Sequence, residues 1–301
     1  RGSFFNEYTF DSTTGTANPQ YRGEDWNNFD ELKLKPRPYG NIGDPLNYDA
    51  TEQIGAAYAM AKAKGKRWDA TVGLRAEHTV QGYTLIFPRD SDPDGEQRYT
   101  DILPSAHFKY EIHPKGRLHL SYNRSVNRPS FFEIVPYTII NEDYKEKGNP
   151  DLEHTVADNI DLRYEFFPKG SEQVMVGLFY KHLHNPIEYG LINEGQDTYY
   201  KPMNLGNATN AGVEIDVMKN FKCFGVKANY TFTHSRITTS KRTMQGSEVI
   251  SVNQSRPLFG QAAHVANVSL LYKSSRWHWE GQISYGYTGK RLSDISNWLD
   301  D

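Results

Sequence analysis

Five short turns set the rhythm of this 301-residue chain, and each carries Lys, Arg or Gly: Ala63–Arg67, His113–Arg117, Pro168–Glu172, Lys219–Lys222 and Lys273–Arg276. Their centres lie about 50–55 residues apart, a period in the range of repeat architectures. On both sides of each turn apolar and polar residues alternate. Longer stretches rich in Asp, Glu, Asn, Pro and Gly join one repeat to the next. A chain punctuated in this way is restricted to a long-stranded antiparallel meander, tight at one end and loopy at the other.

The alternation is clearest after the first turn. Trp68, Ala70, Val72, Leu74 and Ala76 share one face, and Asp69, Thr71, Gly73, Arg75 and Glu77 the other. In 159–166, Ile160, Leu162, Tyr164 and Phe166 oppose Asn159, Asp161, Arg163 and Glu165. A period of two with one wholly polar face marks a strand with one wet side. Ten strands are predicted, at roughly 46–62, 68–87, 100–113, 117–127, 155–167, 174–189, 199–219, 224–238, 263–272 and 277–290, with an eleventh at about 3–11. The connections at about 88–99, 128–154, 190–198 and 239–262 are predicted as loops, with no helix of consequence and no second domain.

Several strands exceed the five or six residues typical of soluble domains and suit the roughly 9–11 tilted residues that cross a bilayer. Mean hydropathy is low, −0.72, which a barrel with a polar lumen tolerates. Tyr 20, Phe 15 and Trp 5 make the chain aromatic-rich. Many of these rings crowd the turns: Trp68, Tyr110, Phe166, Phe167, Phe221, Phe224, Tyr272, Trp277 and Trp279. A soluble core would hold its rings mid-strand, whereas rings gathered at one level form a girdle at a membrane–water interface. The fold predicted is all-β, an antiparallel up-and-down transmembrane β-barrel. The rival reading is a soluble carbohydrate-binding or hydrolase β-domain, propeller-like, whose repeat is also about 50 residues. A net charge of −3 without a basic stripe gives no reason to expect nucleic acid as partner. The single Cys223 precludes an internal disulfide. No secretory leader precedes Arg1-Gly2-Ser3, so a mature chain or a fragment is expected.

Residues 120–153 carry Arg128-Pro129-Ser130, then Pro136-Tyr137, then Gly148-Asn149-Pro150-Asp151-Leu152. With Gly73-Leu74-Arg75-Ala76-Glu77, Asn204-Leu205-Gly206-Asn207-Ala208, Gly212-Val213-Glu214 and Gly260-Gln261-Ala262-Ala263-His264, in this order, they resemble the barrel of TonB-dependent receptors of the Bacteroidetes-type outer-membrane β-barrel family. The resemblance implies residence in the bacterial outer membrane among its lipids, and a barrel of about 22 strands around a lumen-filling plug. Residues 1–301 would then be a partial barrel of ten or eleven strands, with plug and closing strands absent. It also implies nutrient uptake driven through the plug by an inner-membrane energy-coupling complex, with a surface lipoprotein as a further partner. Iron chelates, cobalamin, glycans and peptides all suit such a receptor. A structural barrel without transport is the other membrane reading.

Candidate site residues follow from chemistry. Loop aromatics Phe131, Phe132, Tyr137, Tyr144, Tyr199 and Tyr200 are expected to stack on a ligand, or on one another. Arg75, Glu77, Arg163, Glu165 and Lys181 are expected to face the lumen. Asp90, Asp92, Asp94 and Asp101, with Gly95 at the sixth place, have the spacing of a calcium loop, although the twelfth residue is Asp and Pro93 stiffens the segment. A plain acidic turn is the alternative, and no other cofactor is expected. His182 and His184 share a face and could bite a metal, or sit at the interface as simple strand-end histidines. No nucleophile elbow or positioned acid–base pair is evident, so no catalysis is expected.

Overall fold

The computed structural model describes residues 8–10, 34–36, 47–86, 93–140, 142, 144–194, 197–246, 248–274 and 276–299. By internal contacts the chain divides into two units, Arg1–Glu52 with Gln81–Gln97, and Gln53–Val80 with Arg98–Asp301. In the first, β1 (Tyr8–Phe10) pairs antiparallel with β2 (Leu34–Pro36). The expected strand at 3–11 is represented by β1; its other residues lie outside the described ones. Within the same unit, Gln81 Nε2 donates to Glu52 Oε1 (3.0 Å) and Thr84 Oγ1 to Asp94 Oδ1 (2.7 Å).

Ten strands neighbour one another in chain order. They are β3 (Tyr48–Lys64), β4 (Trp68–Leu85), β5 (Asp94–His113), β6 (Gly116–Asn127), β9 (Thr155–Phe166), β10 (Gln173–His184), β13 (Asn207–Phe221), β14 (Phe224–Gln245), β16 (His264–Ser274) and β17 (Trp279–Thr288). Intervening short strands are β7 (Thr138–Ile140), β8 (Lys145–Lys147), β11 (Ile187–Glu194), β12 (Asp197–Asn204) and β15 (Glu248–Arg256). The predicted meander and its five tight turns are present. Pro114-Lys115 and Lys222-Cys223 are two-residue turns, the latter with Lys222 at φ 50. Among the described residues β3 and β17 are the end strands of this sheet.

The register explains the alternation. Leu162 lies across from Leu120 on one side and Leu178 on the other; Leu178 faces Val213, and Val213 faces Phe232. Farther along, Val268 lies between Ala228 and Tyr285, and Leu270 between Val226 and Ile283. A one-residue slip would turn every one of these side chains over. Yet this apolar face is solvent-accessible: Leu74, Ile102, Leu120, Leu178 and Leu270 are all exposed. In water each buried Leu would gain about 1.5–3 kcal/mol, so exposing a whole apolar face requires a lipid solvent. Aromatic residues bound the band at both ends. On β14, Phe224 and Phe232 stand about 26 Å apart along the strand, comparable with the roughly 25 Å apolar band of outer-membrane barrels. Trp68, Tyr110, Phe221, Tyr272 and Trp279 extend the girdle at the turn end; Tyr180, Tyr230, Tyr285 and Tyr287 form one at the loop end that the sequence reading missed.

Several predicted boundaries need correction. The expected strand 174–189 is β10 followed by β11, broken at Asn185 (φ 50). The expected strand 199–219 is β12 and β13, broken at Gly206 (φ 91). Segment 239–262, expected as loop, carries the end of β14 and its return in β15. Segment 128–154 holds β7, β8 and a single-turn helix, α1 (Phe131–Ile134), whose capping Ser130 hydroxyl and backbone N–H both donate to Glu133 Oε2.

Leu162→Arg should cost about 2–4 kcal/mol, the penalty for a cation at mid-bilayer depth, whereas Ser121→Arg on the opposite face should cost less than about 1 kcal/mol. Urea titration of the protein in phospholipid vesicles, read by gel mobility of the folded form, measures both. Equal penalties would reverse the assignment of the lipid face.

Candidate ligand vestibule

Buried apolar side chains concentrate at the loop end rather than within the long sheet. Ile134, Val135, Tyr137, Leu152, Ala208, Ile237, Ala262 and Ile295 are almost fully enclosed. β13 and β14 contribute Ala208 and Ile237 from the face opposite the lipid band, so the loops fold over the polar, inner face. A four-stranded sheet, β11-β12-β8-β7, forms the body of this cover. β11 is tied to the chain near 295–297: Leu191 N donates to Ile295 O (2.7 Å) and Asn297 N to Leu191 O (3.2 Å). The same segment reaches β14, where Arg242 N donates to Asn297 O (2.9 Å).

Two segments singled out by sequence lock the loops together. A Cβ on Gly148 would collide with the Val135 carbonyl oxygen, so only glycine allows this approach. Asn149 N then donates to Glu133 O (2.7 Å), and its side chain donates to Pro202 O (2.9 Å). Asn204 performs the reciprocal task, with Nδ2 donating to Asn185 O (2.8 Å) and Oδ1 accepting from Glu153 N (2.8 Å). Glu188, 5% exposed, accepts two bonds from Arg256 (2.8 and 3.3 Å) and one from Phe259 N (2.6 Å). A buried carboxylate satisfied this fully fixes geometry more than it adds stability.

Around this cover lies an aromatic cluster. Tyr200 stacks with Tyr189 (centroids 5.4 Å, 26° between planes) and meets Tyr144 at 5.8 Å. Lys145 and Lys147 lie 5.7 and 5.6 Å from the centre of the Tyr199 ring, and Lys145 Nζ also pairs with Asp197 (2.6 Å). Phe132 and Tyr144 are exposed, whereas Phe131, Tyr199 and Tyr200 are half-buried. Of the two roles expected for these rings, Tyr137 takes the packing one. Its ring is 2% exposed, packs on Phe132 (4.7 Å) and donates its hydroxyl to Glu146 (3.2 Å), so it anchors the fold and offers no open face. Tyr189 was missed because it was read as the end of a longer strand; Asn185-Pro186 was the signal of a break. Burial, then the Glu133 and Glu146 carboxylates, raise the Tyr189 hydroxyl well above the ordinary tyrosine range. Burial and Asp294 raise that of Tyr200. Both remain neutral phenols at physiological pH.

The expected lumen residues lie on the inner face. Glu77 bonds both Arg75 and Arg128, and Arg128 Nε also donates to Thr79 Oγ1 (3.1 Å). Arg128 comes from the Arg-Pro-Ser segment and so fastens the start of the loop to the wall. At the loop's other end His154 meets Asp101 Oδ1 (2.8 Å) and stacks on Tyr99 (4.0 Å). Arg163 lies 3.9 Å from Glu214 across Gly177, and Glu165 3.2 Å from His119. Lys181 lies across from Asn159 and Asn210 and is exposed.

Two members of the expected calcium set, Asp94 and Asp101, are described. Asp94 and Asp101 are seven residues apart in the continuous strand β5, on opposite faces, so extended backbone separates them. Asp90 and Asp92 lie outside the described residues. His182 and His184 meet edge to face (4.5 Å) on the lipid-side face. Their carboxylate neighbour Asp158, 3.6 Å from His184, is already engaged by Arg124 (2.9 Å at each oxygen) and the Tyr122 hydroxyl (2.7 Å). Among the described residues no group of three or more His, Cys, Asp or Glu is placed to hold a metal.

An antiparallel sheet with a lipid face, a polar inner face and loops folded over that inner face defines a wall section of an outer-membrane β-barrel. The chain belongs to the outer membrane protein beta-barrel family, whose profile matches residues 5–297, and it resides in the bacterial outer membrane. A sequence comparison with curated proteins returned no match. Among solved structures, the fold is similar to a double mutant of the Serratia marcescens hemophore receptor HasR in complex with its hemophore HasA and heme (TM-score 0.60, 10% identity, 79% of this chain and 44% of that one). It is similar as well to the copper transporter OprC (0.61, 12%, 95% and 39%) and the siderophore receptor PiuA from Acinetobacter baumannii (0.57, 14%, 81% and 33%). The chain spans less than half the length of each. These are TonB-dependent receptor barrels in fold, as the sequence resemblance implied.

Two substitutions test the anchoring. Arg128→Ala should destabilise by about 3 kcal/mol, the lower end for breaking a buried ion pair, because Arg75 still holds Glu77; urea midpoints measure it, and Arg75→Ala, at a more exposed guanidinium, should cost less. Gly148→Ala should open the loop cover, seen as faster limited proteolysis within 131–154 while the folded-form gel mobility is retained.

Proposed function

We propose that this chain forms barrel wall and outer vestibule of an energy-coupled receptor that imports a scarce nutrient across the outer membrane. The observation that carries the reading is the placement of the loops. They fold over the polar inner face and hold Phe132, Tyr144, Tyr189, Tyr199 and Tyr200 above a wall lined by Arg75, Glu77, Arg163, Glu165 and Lys181. Neutral ring faces favour a flat or aryl-rich ligand, and a metal chelate is the class proposed. Support for that class comes from the hemophore–heme, copper and siderophore proteins of similar fold.

In this reading the ligand docks on the rings and then passes along the polar wall. An inner-membrane energy complex would drive the step through a lumen-filling domain, and a surface lipoprotein could deliver the ligand. The chain's own residues bind and guide, and the reading requires no catalytic group. The soluble carbohydrate-binding alternative is disfavoured by the exposed apolar band, which plain water would penalise heavily.

The test uses the intact receptor in its native outer membrane. Phe132→Ala with Tyr144→Ala should weaken ligand binding about ten- to thirty-fold, as expected for two lost ring contacts. Growth on limiting heme, ferric siderophore or copper should fall, with receptor abundance unchanged. Undiminished growth of a receptor-deletion strain on all three would overturn the chelate reading.

A further inference from the structure

β14 changes partner along its length. It pairs β16 up to Phe232, which lies across from His264, and pairs β15 from Ile237, which lies across from Arg256. Between these registers the 257–263 segment crosses, with Leu258 N donating to Ser235 Oγ (3.0 Å). The chain leaving β17 passes the same place: Gly289 N donates to His264 O (2.8 Å), and Gly260 N to Leu292 O (3.0 Å). A notch of about 610 Å³ results.

Its lining is cationic. Arg236, Arg256, Lys290 and Arg291 contribute to it, Phe232 forms its apolar side, and no carboxylate is among the lining residues. Among the described residues the Arg236 guanidinium donates to Ser255 Oγ alone (3.3 Å). Arg256, whose side chain is 9% exposed, lies across from inward-facing Ile237 and spends its two terminal nitrogens on Glu188 and the Pro257 carbonyl, so it closes the inner side of the notch. Arg236, Lys290 and Arg291 are exposed, so an anionic ligand can reach their nitrogens.

The position of the notch selects the acceptor. Phe232, His234 and Arg236 share the lipid-side face with Tyr230 by strand alternation. Arg236 therefore lies about 13 Å along the strand beyond the last ring of the apolar band, at headgroup level. A ligand with apolar chains below and a phosphate above matches both halves of this surface. We propose that the notch binds the phosphate of an outer-leaflet lipid headgroup, with the acyl chains lying on Phe232, Tyr230 and Val268. A basic patch at headgroup level attracts anionic lipid by about 1 kcal/mol per cation, or roughly fivefold each.

The intact receptor in detergent micelles tests this with diphosphoryl lipid A, its dephosphorylated form and inorganic phosphate as probes. Diphosphoryl lipid A should bind about thirty-fold more weakly to the Lys290→Ala/Arg291→Ala variant, and about fivefold more weakly to Arg236→Gln. The dephosphorylated lipid should bind all three proteins equally weakly. On the unaltered receptor, rising salt should weaken binding, since exposed charges are screened over about 10 Å at 0.1 M, which gives a readout independent of any variant's folding. Equal affinity of the unaltered and variant receptors for the phosphorylated lipid, or salt-independent binding, would overturn the site. Inorganic phosphate binding as tightly as the lipid would overturn the lipid assignment.

Discussion

The absence of water in the bilayer interior governs everything else here. A backbone N–H or C=O in hydrocarbon must find its partner in a neighbouring strand. The ten long strands do so by continuous antiparallel pairing, in which twelve consecutive residues of β9 pair with β6. Once the backbone is satisfied in this way, side chains are free to invert the soluble pattern. Leu120, Leu162 and Leu178 face outward, while Asp161, Arg163 and Glu165 face inward. The lipid supplies the apolar solvent, so the long sheet needs no core of its own.

The consequence is that packing must be supplied elsewhere. The only tightly enclosed apolar cluster described lies in the loops, around Ile134, Val135, Tyr137 and Leu152. It is held by polar fasteners at the wall. Arg128 bonds Glu77 where the long loop begins, and His154 bonds Asp101 where it ends. The vestibule is therefore built as a small water-side fold tethered to a membrane-side frame. Its aromatic residues divide accordingly: Tyr137 is spent on holding the loop, and Phe132 and Tyr144 remain outside it.

What the sequence disclosed follows this division. The strands were legible because alternation is enforced residue by residue wherever one side meets lipid, and Trp68 or Trp279 marks where it stops. The polar inner residues followed from the same parity. The loops were less legible, because no single solvent imposes a period on them. Tyr189 and Tyr200 meet only because the chain breaks at Asn185 and Gly206, where positive φ ends one strand and starts another. Around Asp94 and Asp101 the acidic spacing suggests a loop, whereas both residues belong to the strand β5. Gly148 and Asn204 carried a signal in their sequence context, but the physical reason for each, a steric approach and a three-way hydrogen bond, lies in contacts distant in sequence.

The partner switch of β14 ties the two solvents together. If β14 had stayed with β16 over its whole length, the wall would be continuous at Thr233–Ile237, and β15 would not bring Arg256 to the loop cover. Because it switches to β15, Arg256 lies across from inward-facing Ile237 with its terminal nitrogens on Glu188 of the loop cover, while Arg236 stands on the opposite, lipid-side face. The Glu188 carboxylate also accepts from Phe259 N, so the crossing segment 257–263 is fixed from the inner side. The lipid-side notch and the inner loop cover are thus set on the two faces of one change of strand partner.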